Sequence, residues 1–191
     1  MSQNFYLDQA FDNATVAATL AEKAEYENCT FNNCDLSNTD VSGIIYIDCT
    51  FTGCNLSMAK LVKTAFRGVK FVNCKMMGLQ LGDCSEFALE FSFDGCTLDH
   101  SSFYQMKLKK TSFKDCRMVE TDLTSADLTE AVFNNCDLSG TTFDNTTLEK
   151  ADLRTAYNYS IDPEKNKIKK AKFSLAGIPG LLDKYNIDIE V

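Results

Sequence analysis

Histidine occurs once in the 191-residue chain, at His100, so no Ser-His-Asp or Cys-His arrangement can be built around several candidates. No apolar run approaches the ~18 residues of a membrane span. Met1 to Ala10 has neither a basic start nor an apolar stretch, so no signal peptide is expected and the location is read as cytoplasmic. Glycine-rich phosphate cradles are missing. Excess positive charge is missing too: the net charge is −8, which argues against free DNA or RNA as a ligand. No cofactor, metal or membrane partner is implied by any motif.

Nine cysteines are present, an odd number in a chain with no sign of export, so reduced thiols are expected rather than a disulfide frame. Their spacings are five and twenty, not the short spacing of zinc sites. Each is expected to pack as a compact hydrophobe. Hydrophobic residues make up 45% of the chain, enough for one continuous core. Charge is uneven. Residues 1–58 carry net −7, 59–117 net +4, 118–161 net −6 and 162–191 net +1.

A bulky apolar residue recurs every fifth position. Phe31, Leu36, Val41, Tyr46, Phe51, Leu56 and Leu61 begin the series, and Leu98, Phe103, Leu108, Phe113, Met118, Leu123 and Leu128 resume it. Two residues before each stands something small, such as Cys34, Thr39, Cys54, Ala59, Ser101 or Thr121. Period five suits neither a helix nor a strand. It describes a short strand stub followed by a turn, and the turn positions carry Ser, Asn, Thr and Gly. Four such units close a square of twenty residues. Phe31, Phe51 and Phe71 repeat at twenty, as do Cys34, Cys54 and Cys74, then Cys96, Cys116 and Cys136. Both columns slip by two once. With Phe91 kept in the phenylalanine column, the slip falls near Ser92–Gly95. Coils stacked ~4.8 Å apart would make a rod roughly 40 Å long.

The repeated unit, seen in "CDLSN", "CNLSM", "ADLTE" and "CDLSG", resembles that of the pentapeptide-repeat family over nearly the whole chain. The resemblance implies an all-β fold, a right-handed quadrilateral parallel β-helix, here of about eight coils over residues 1–175. The ending "AKFSLAGIPGLLDKYNIDIEV" resembles the tail of Qnr-type quinolone-resistance proteins. Residues 176–191 are therefore read as a capping or dimerisation tail with a short helix, Leu181, Leu182 and Tyr185 on one face, and a final strand in "NIDIEV". The resemblance favours a homodimer through Phe173, Ile178, Leu181, Leu182 and Tyr185.

Residues 14–24 are expected to form a first coil rather than a capping helix. Glu86 falls where an inward apolar residue is due. A buried unpaired carboxylate is costly, so a bulge should turn Phe87 inward and Glu86 out. "DPEKNK" reads as an exposed turn, and Lys165, Lys167, Lys169, Lys170 and Lys172 as a solvated basic rim.

Functionally, the chain is read as a non-catalytic scaffold that binds a protein partner. The alternative implied by the Qnr-type resemblance is DNA mimicry, in which an acidic rod occupies the DNA-binding saddle of DNA gyrase or topoisomerase IV. The acidic surface would then be Asp122, Asp127, Glu130, Asp137, Asp144, Glu149 and Asp152. Lysines of the middle coils, Lys60 to Arg117, oppose that reading.

Overall fold

Why twenty residues make one coil is visible in a computed structural model, which describes residues 4–13 and 23–190. At nearly every fifth residue the backbone enters the left-handed region, as at Asn28 (φ 52°), Asn33 (52°), Asn38 (56°) and Gly43 (72°). Each such residue turns the chain through a corner, and four corners close a coil. Asn, Asp and Gly suit these sites because they tolerate positive φ. Coils then stack with their strand stubs parallel.

Two walls form continuous sheets. The first is built from β1 (Asn4–Leu7), β3 (Ala24–Glu27), β5 (Ile45–Ile47) and β7 (Ala65–Arg67). The second runs through β2 (Ala10–Asp12), β4 (Thr30–Asn32), β6 (Thr50–Thr52), β8 (Val69–Val72), β9 (Phe91–Asp94), β10 (Ser112–Lys114) and β11 (Val132–Asn134). The third and fourth walls are single bridges, such as Asp35↔Asn55↔Lys75 and Ser102↔Asp122↔Thr142. Register is twenty, with Phe11 against Phe31, Phe31 against Phe51, and Phe113 against Phe133. The longest wall holds seven full strands, slightly fewer than the eight coils expected. Beyond β11 it continues as the bridges Val132↔Asp152 and Asp152↔Lys172.

The expected columns are the core. Phe31, Phe51, Phe71, Phe93, Phe113 and Phe133 stack ring on ring, with centroids 4.5 to 5.5 Å apart. Tyr6, Tyr26, Tyr46 and Phe66 stack on the adjoining wall and meet that column edge-on, as Tyr46 meets Phe51 at 75°. All nine cysteines are buried and unbridged. Among the described residues no helix is long and apolar enough to cross a membrane.

The small inward position has a chemical role beyond size. Its hydroxyl or thiol donates to the carbonyl of the inward residue in the coil below. Thr64 donates to Val41 O (2.8 Å), Thr121 to Leu98 O (3.0 Å), and Thr146 to Leu123 O (2.9 Å). Cys54 and Cys136 do the same to Phe31 O (3.3 Å) and Phe113 O (3.4 Å). A compact donor therefore serves this site, which explains Cys, Ser and Thr there.

Three expectations need correction. The two-residue slip lies earlier than Ser92–Gly95. Phe71 pairs with Phe93 and Val69 with Phe91, so Phe93 carries the column. Ser85 N–H bonds Thr64 O (2.8 Å) and Glu90 N–H bonds Phe66 O (3.0 Å), which confines the extra residues to 85–90. Phe91 takes the small inward position instead, and its ring leans toward Phe66 (6.5 Å) and Phe93 (5.1 Å). Its buried ring covers the core beneath the absent rung of the first wall. Second, the bulge puts Glu86 outside, but Phe87 is outside too, at 72% exposure; Leu89 turns in partway. Third, the short C-terminal helix is present, but Tyr185 lies beyond it and the final strand does not form. Helix α1 spans only Pro179–Leu182, flanked by 3-10 turns at Leu175–Gly177 and Asp183–Tyr185. Gly177, Pro179 and Gly180 interrupt helical pairing, Asn186 ends the last turn at φ 47°, and "NIDIEV" forms no strand through 190. Residues 14–22, expected as a first coil, lie outside the described residues; Ala24 beyond them pairs with Asn4 at register twenty.

Met58 sits at a corner with φ 59° and is 60% exposed. A left-handed side chain costs ~1–2 kcal/mol and glycine's added chain entropy ~0.5–1. Met58→Gly is thus expected to gain roughly 0.5–1 kcal/mol, read as a higher urea midpoint. A lower midpoint would count against the corner account.

Candidate interaction surface

The outward carboxylates are not loose. Several aspartates that stand just before an inward residue accept a hydrogen bond from the backbone N–H two positions on, which pins the corner. Asp122 accepts from Thr124 (2.9 Å), Asp127 from Thr129 (3.1 Å), Asp137 from Ser139 (3.2 Å) and Asp152 from Arg154 (3.2 Å). These are Asx-type turns. The aspartates therefore build the rod as well as solvate it.

Such partners hold a subset of the carboxyls below their ordinary range. The Ser37 and Ser42 hydrogen bonds lower Asp35 and Asp40, Arg154 lowers Asp152, and Lys150 lowers Glu130. At the C-terminal end Lys184 lowers Asp162 and Glu164. A depressed folded pKa contributes stability above the unfolded value, near ~3.9–4.3, and loses it as pH falls through the folded value. Chemical denaturation at a series of pH values should show constant stability from about pH 7 to 5 and a decline below about 4. A maximum in the acid range would contradict it.

The seven acidic candidates do not share one face. Asp127 lies on the first wall, one coil from Glu149, with Glu130 at the corner beside them. Asp122 and Asp144 occupy the fourth wall, where Ser125 N–H bonds Asp144 O (2.8 Å). These five share two adjoining walls. Asp137 stands on the third wall and Asp152 on the second. Cations neutralise part of the set: Lys109 meets Asp127 at 3.3 Å, Lys150 meets Glu130 at 2.8 Å, and Arg154 meets Asp152 at 2.7 Å.

The tail folds back on its own rod. Ile161 N–H bonds Gly180 O (2.9 Å), Ser160 bonds Asp183 (2.7 Å), and Lys184 sits 2.7 Å from both Asp162 and Glu164. Phe173 packs against Tyr159 with centroids 5.8 Å apart, and Leu181 packs onto the core. Leu182 is half-buried, while Tyr185 is exposed with its hydroxyl on Glu164 (3.0 Å). Of the expected dimer contacts, only Ile178 and Tyr185 remain exposed. Leu175, Ile187 and Ile189 are exposed beside them and escaped the sequence reading; Leu175 is 90% exposed.

The bulge was legible only as an interruption, and it makes the most irregular surface. Phe87 lies over the Arg67 guanidinium, 5.1 Å from ring to carbon, and Glu86 pairs with Lys107 at 3.1 Å. Two clefts flank it, of about 300 and 400 Å³. A buried acidic residue also went unanticipated: Asp99, beside Leu98 of the third wall, is paired with Arg117 at 2.5 Å and accepts from Val119 N–H (3.0 Å). His100 is exposed and its ring meets Glu120 (3.1 Å). Among the described residues, no group of three or more His, Cys, Asp or Glu side chains could hold a metal. Burial pushes the Cys49 and Cys84 thiols up to about 12, so they remain protonated at neutral pH.

The family model for the pentapeptide repeat region matches residues 24–91 and 89–173. No curated protein sequence matches the chain. Among solved structures, trypsin-treated QnrB1, described as a plasmid-mediated fluoroquinolone resistance protein, is 17% identical, with all of both chains covered and a TM-score of 0.61. Full-length QnrB1 is 18% identical, covering 97% of this chain and 98% of its own, with a TM-score of 0.53. At such identity the likeness is one of fold. With corners every fifth residue, a twenty-residue register and a repeat model spanning most of its length, the chain belongs to the pentapeptide-repeat family.

Proposed function

We propose that the chain is a non-catalytic rod that binds another protein. The observation that supports this is the regular, hydrogen-bonded spacing of its outer lattice. Outward side chains are spaced by backbone rungs, and many carboxylates are already fixed by corner hydrogen bonds. A surface ordered beforehand loses little entropy on association. The test is in-cell crosslinking followed by isolation of the tagged chain. A partner recovered with the native chain and lost from an Asp144→Lys/Glu149→Lys variant supports the reading. Recovery of the chain alone, in every growth condition, overturns it.

A second reading is topoisomerase binding by DNA mimicry. It rests on the fold shared with QnrB1 and on the five carboxylates of the adjoining first and fourth walls. Spaced carboxylates stand in for phosphates against a cationic groove. Added to a gyrase or topoisomerase IV supercoiling or decatenation assay, the protein should inhibit the enzyme or rescue it from a fluoroquinolone. No effect on either enzyme ends this reading and leaves the first intact.

The rod is proposed to work as a homodimer joined at the C-terminal end through Leu175, Ile178, Ile187 and Ile189, which stay exposed after the tail has docked. Light scattering should report a dimer for the native chain and a monomer of 21.3 kDa for Leu175→Asp. Leu181→Asp is the poorer probe, because Leu181 packs on its own core. A native monomer sinks the proposal.

A further inference from the structure

At residues 86–89 the first wall is missing a rung. β7 (Ala65–Arg67) closes the lower half of that wall, and Lys107 bridges only upward, to Asp127, among the described residues. The chain that should lie between them stands off as the bulge. This leaves the two clefts, which share Leu89 and Lys107 in their linings and together form the groove region of the wall.

The larger cleft is cationic and apolar, while the smaller one sets Asp83 and Glu86 beside the shared Lys107. Lys70, Lys107, Lys109 and Lys110 line the larger cleft, while Leu89, Phe91 and Leu108 form its floor. Glu90 is the one acidic residue in this lining. Lys70 has no ion pair among the described residues. The side chains of Lys107, Lys109 and Lys110 are largely exposed and pair with the exposed Glu86 at 3.1 Å and with the half-buried Asp127 at 3.3 Å and Glu130 at 4.0 Å. Exposed pairs contribute little, so an incoming carboxylate can replace them with small loss. In a chain of net charge −8, the segment 59–117 that holds most of this lining carries net +4, the most positive of the four segments.

We propose that the groove docks an extended, acidic segment of a partner protein, carrying an apolar side chain that rests on Leu89. The proposal deepens the protein-binding reading by naming the charge and shape of the partner, and it depends on that reading. An extended segment fits because the vacancy is one strand wide, and neighbouring strands lie ~4.8 Å apart. Nucleic acid fits poorly. Asp127 and Glu130 one coil above and Glu86 and Glu90 below confine the cationic strip to one row, too narrow for a duplex with a charge on every phosphate, and a phosphate backbone offers no apolar side chain to rest on Leu89.

The test uses the intact chain and fluorescence anisotropy with a dye-labelled peptide of alternating Glu and Val. A Lys and Val peptide and an oligothymidylate serve as comparisons. The acidic peptide should bind and the basic one should not. Lys109→Glu/Lys110→Glu should weaken binding about tenfold or more, as close charge pairs at interfaces do. Phe87→Ala should leave the thermal transition unchanged, and Leu89→Ser should weaken the acidic peptide. Lys165→Glu/Lys167→Glu, remote from the groove, should change nothing. Equal loss in that remote variant, tighter binding of the oligothymidylate, or no binding of the acidic peptide overturns the proposal. Such a failure is separable from failure of the scaffold reading, because crosslinking could still recover a partner held by another wall.

Discussion

Phe51→Ala is expected to remove about 3–5 kcal/mol of stability, a large share of the ~5–15 kcal/mol a domain of this size holds. Phe51 is fully buried. Its ring lies between Phe31, at 4.5 Å and 8°, and Phe71, at 5.2 Å and 21°, and meets Tyr46 edge-on at 5.2 Å. Truncation removes the transfer energy of the ring and leaves a cavity between two rungs whose spacing is fixed by backbone hydrogen bonds. The walls cannot collapse to fill it, so the upper part of the range applies. Lost ring–ring geometry adds ~0.5–1.5 kcal/mol per pair. Each coil touches only its neighbours, so the defect also divides the rod into two shorter stacks. Urea unfolding should show a lower midpoint and, where the stacks uncouple, a second transition. Phe87→Ala supplies the contrast, since an exposed ring on the bulge should move stability by no more than ~0.5 kcal/mol. A loss below about 1 kcal/mol at Phe51 would mean that the aromatic column is not the main source of stability.

The same column shows what could be read from residues alone. Phenylalanine and cysteine repeat at twenty independently, and stacking demands identical spacing, so wall number and core membership were legible. The position of the slip was not. Phe91 and Phe93 are both phenylalanine and both face inward, and only the pairing of Val69 with Phe91 tells which is which. The tail misled for a local reason: Leu181, Leu182 and Tyr185 have helical spacing, but Gly177, Pro179 and Gly180 deny the backbone a continuous helix. The scatter of the acidic set was legible in principle. Asp122 and Asp127 are five residues apart, and a period of five places them on adjoining walls. What no pattern announced was the vacancy in the first wall, because a missing rung is a property of how neighbours stack, not of which residues occur.

Cys74→Leu is expected to cost about 2–3 kcal/mol, whereas Cys74→Thr should stay within about 1. Cys74 is buried on the third wall between Cys54 and Cys96, and its thiol donates to Phe51 O and Val72 O, each at 3.4 Å. Leucine would add volume where the rung spacing above and below cannot give, and it would remove the donor. Threonine keeps the size and supplies a hydroxyl in the geometry that Thr64, Thr121 and Thr146 already use on other walls. Cys74→Val separates the two effects, having threonine's shape without its hydroxyl. Its loss should fall between the others, and its excess over Thr reports the hydrogen bond to Phe51 O. Ile44, Val69 and Leu79 occupy this inward position elsewhere and are buried, so the size limit belongs to the cysteine column and not to the position as such. If Cys74→Leu proved as stable as Cys74→Thr, the column would be neither tightly packed nor selected for a donor, and thiol chemistry would become the better reason for six stacked cysteines.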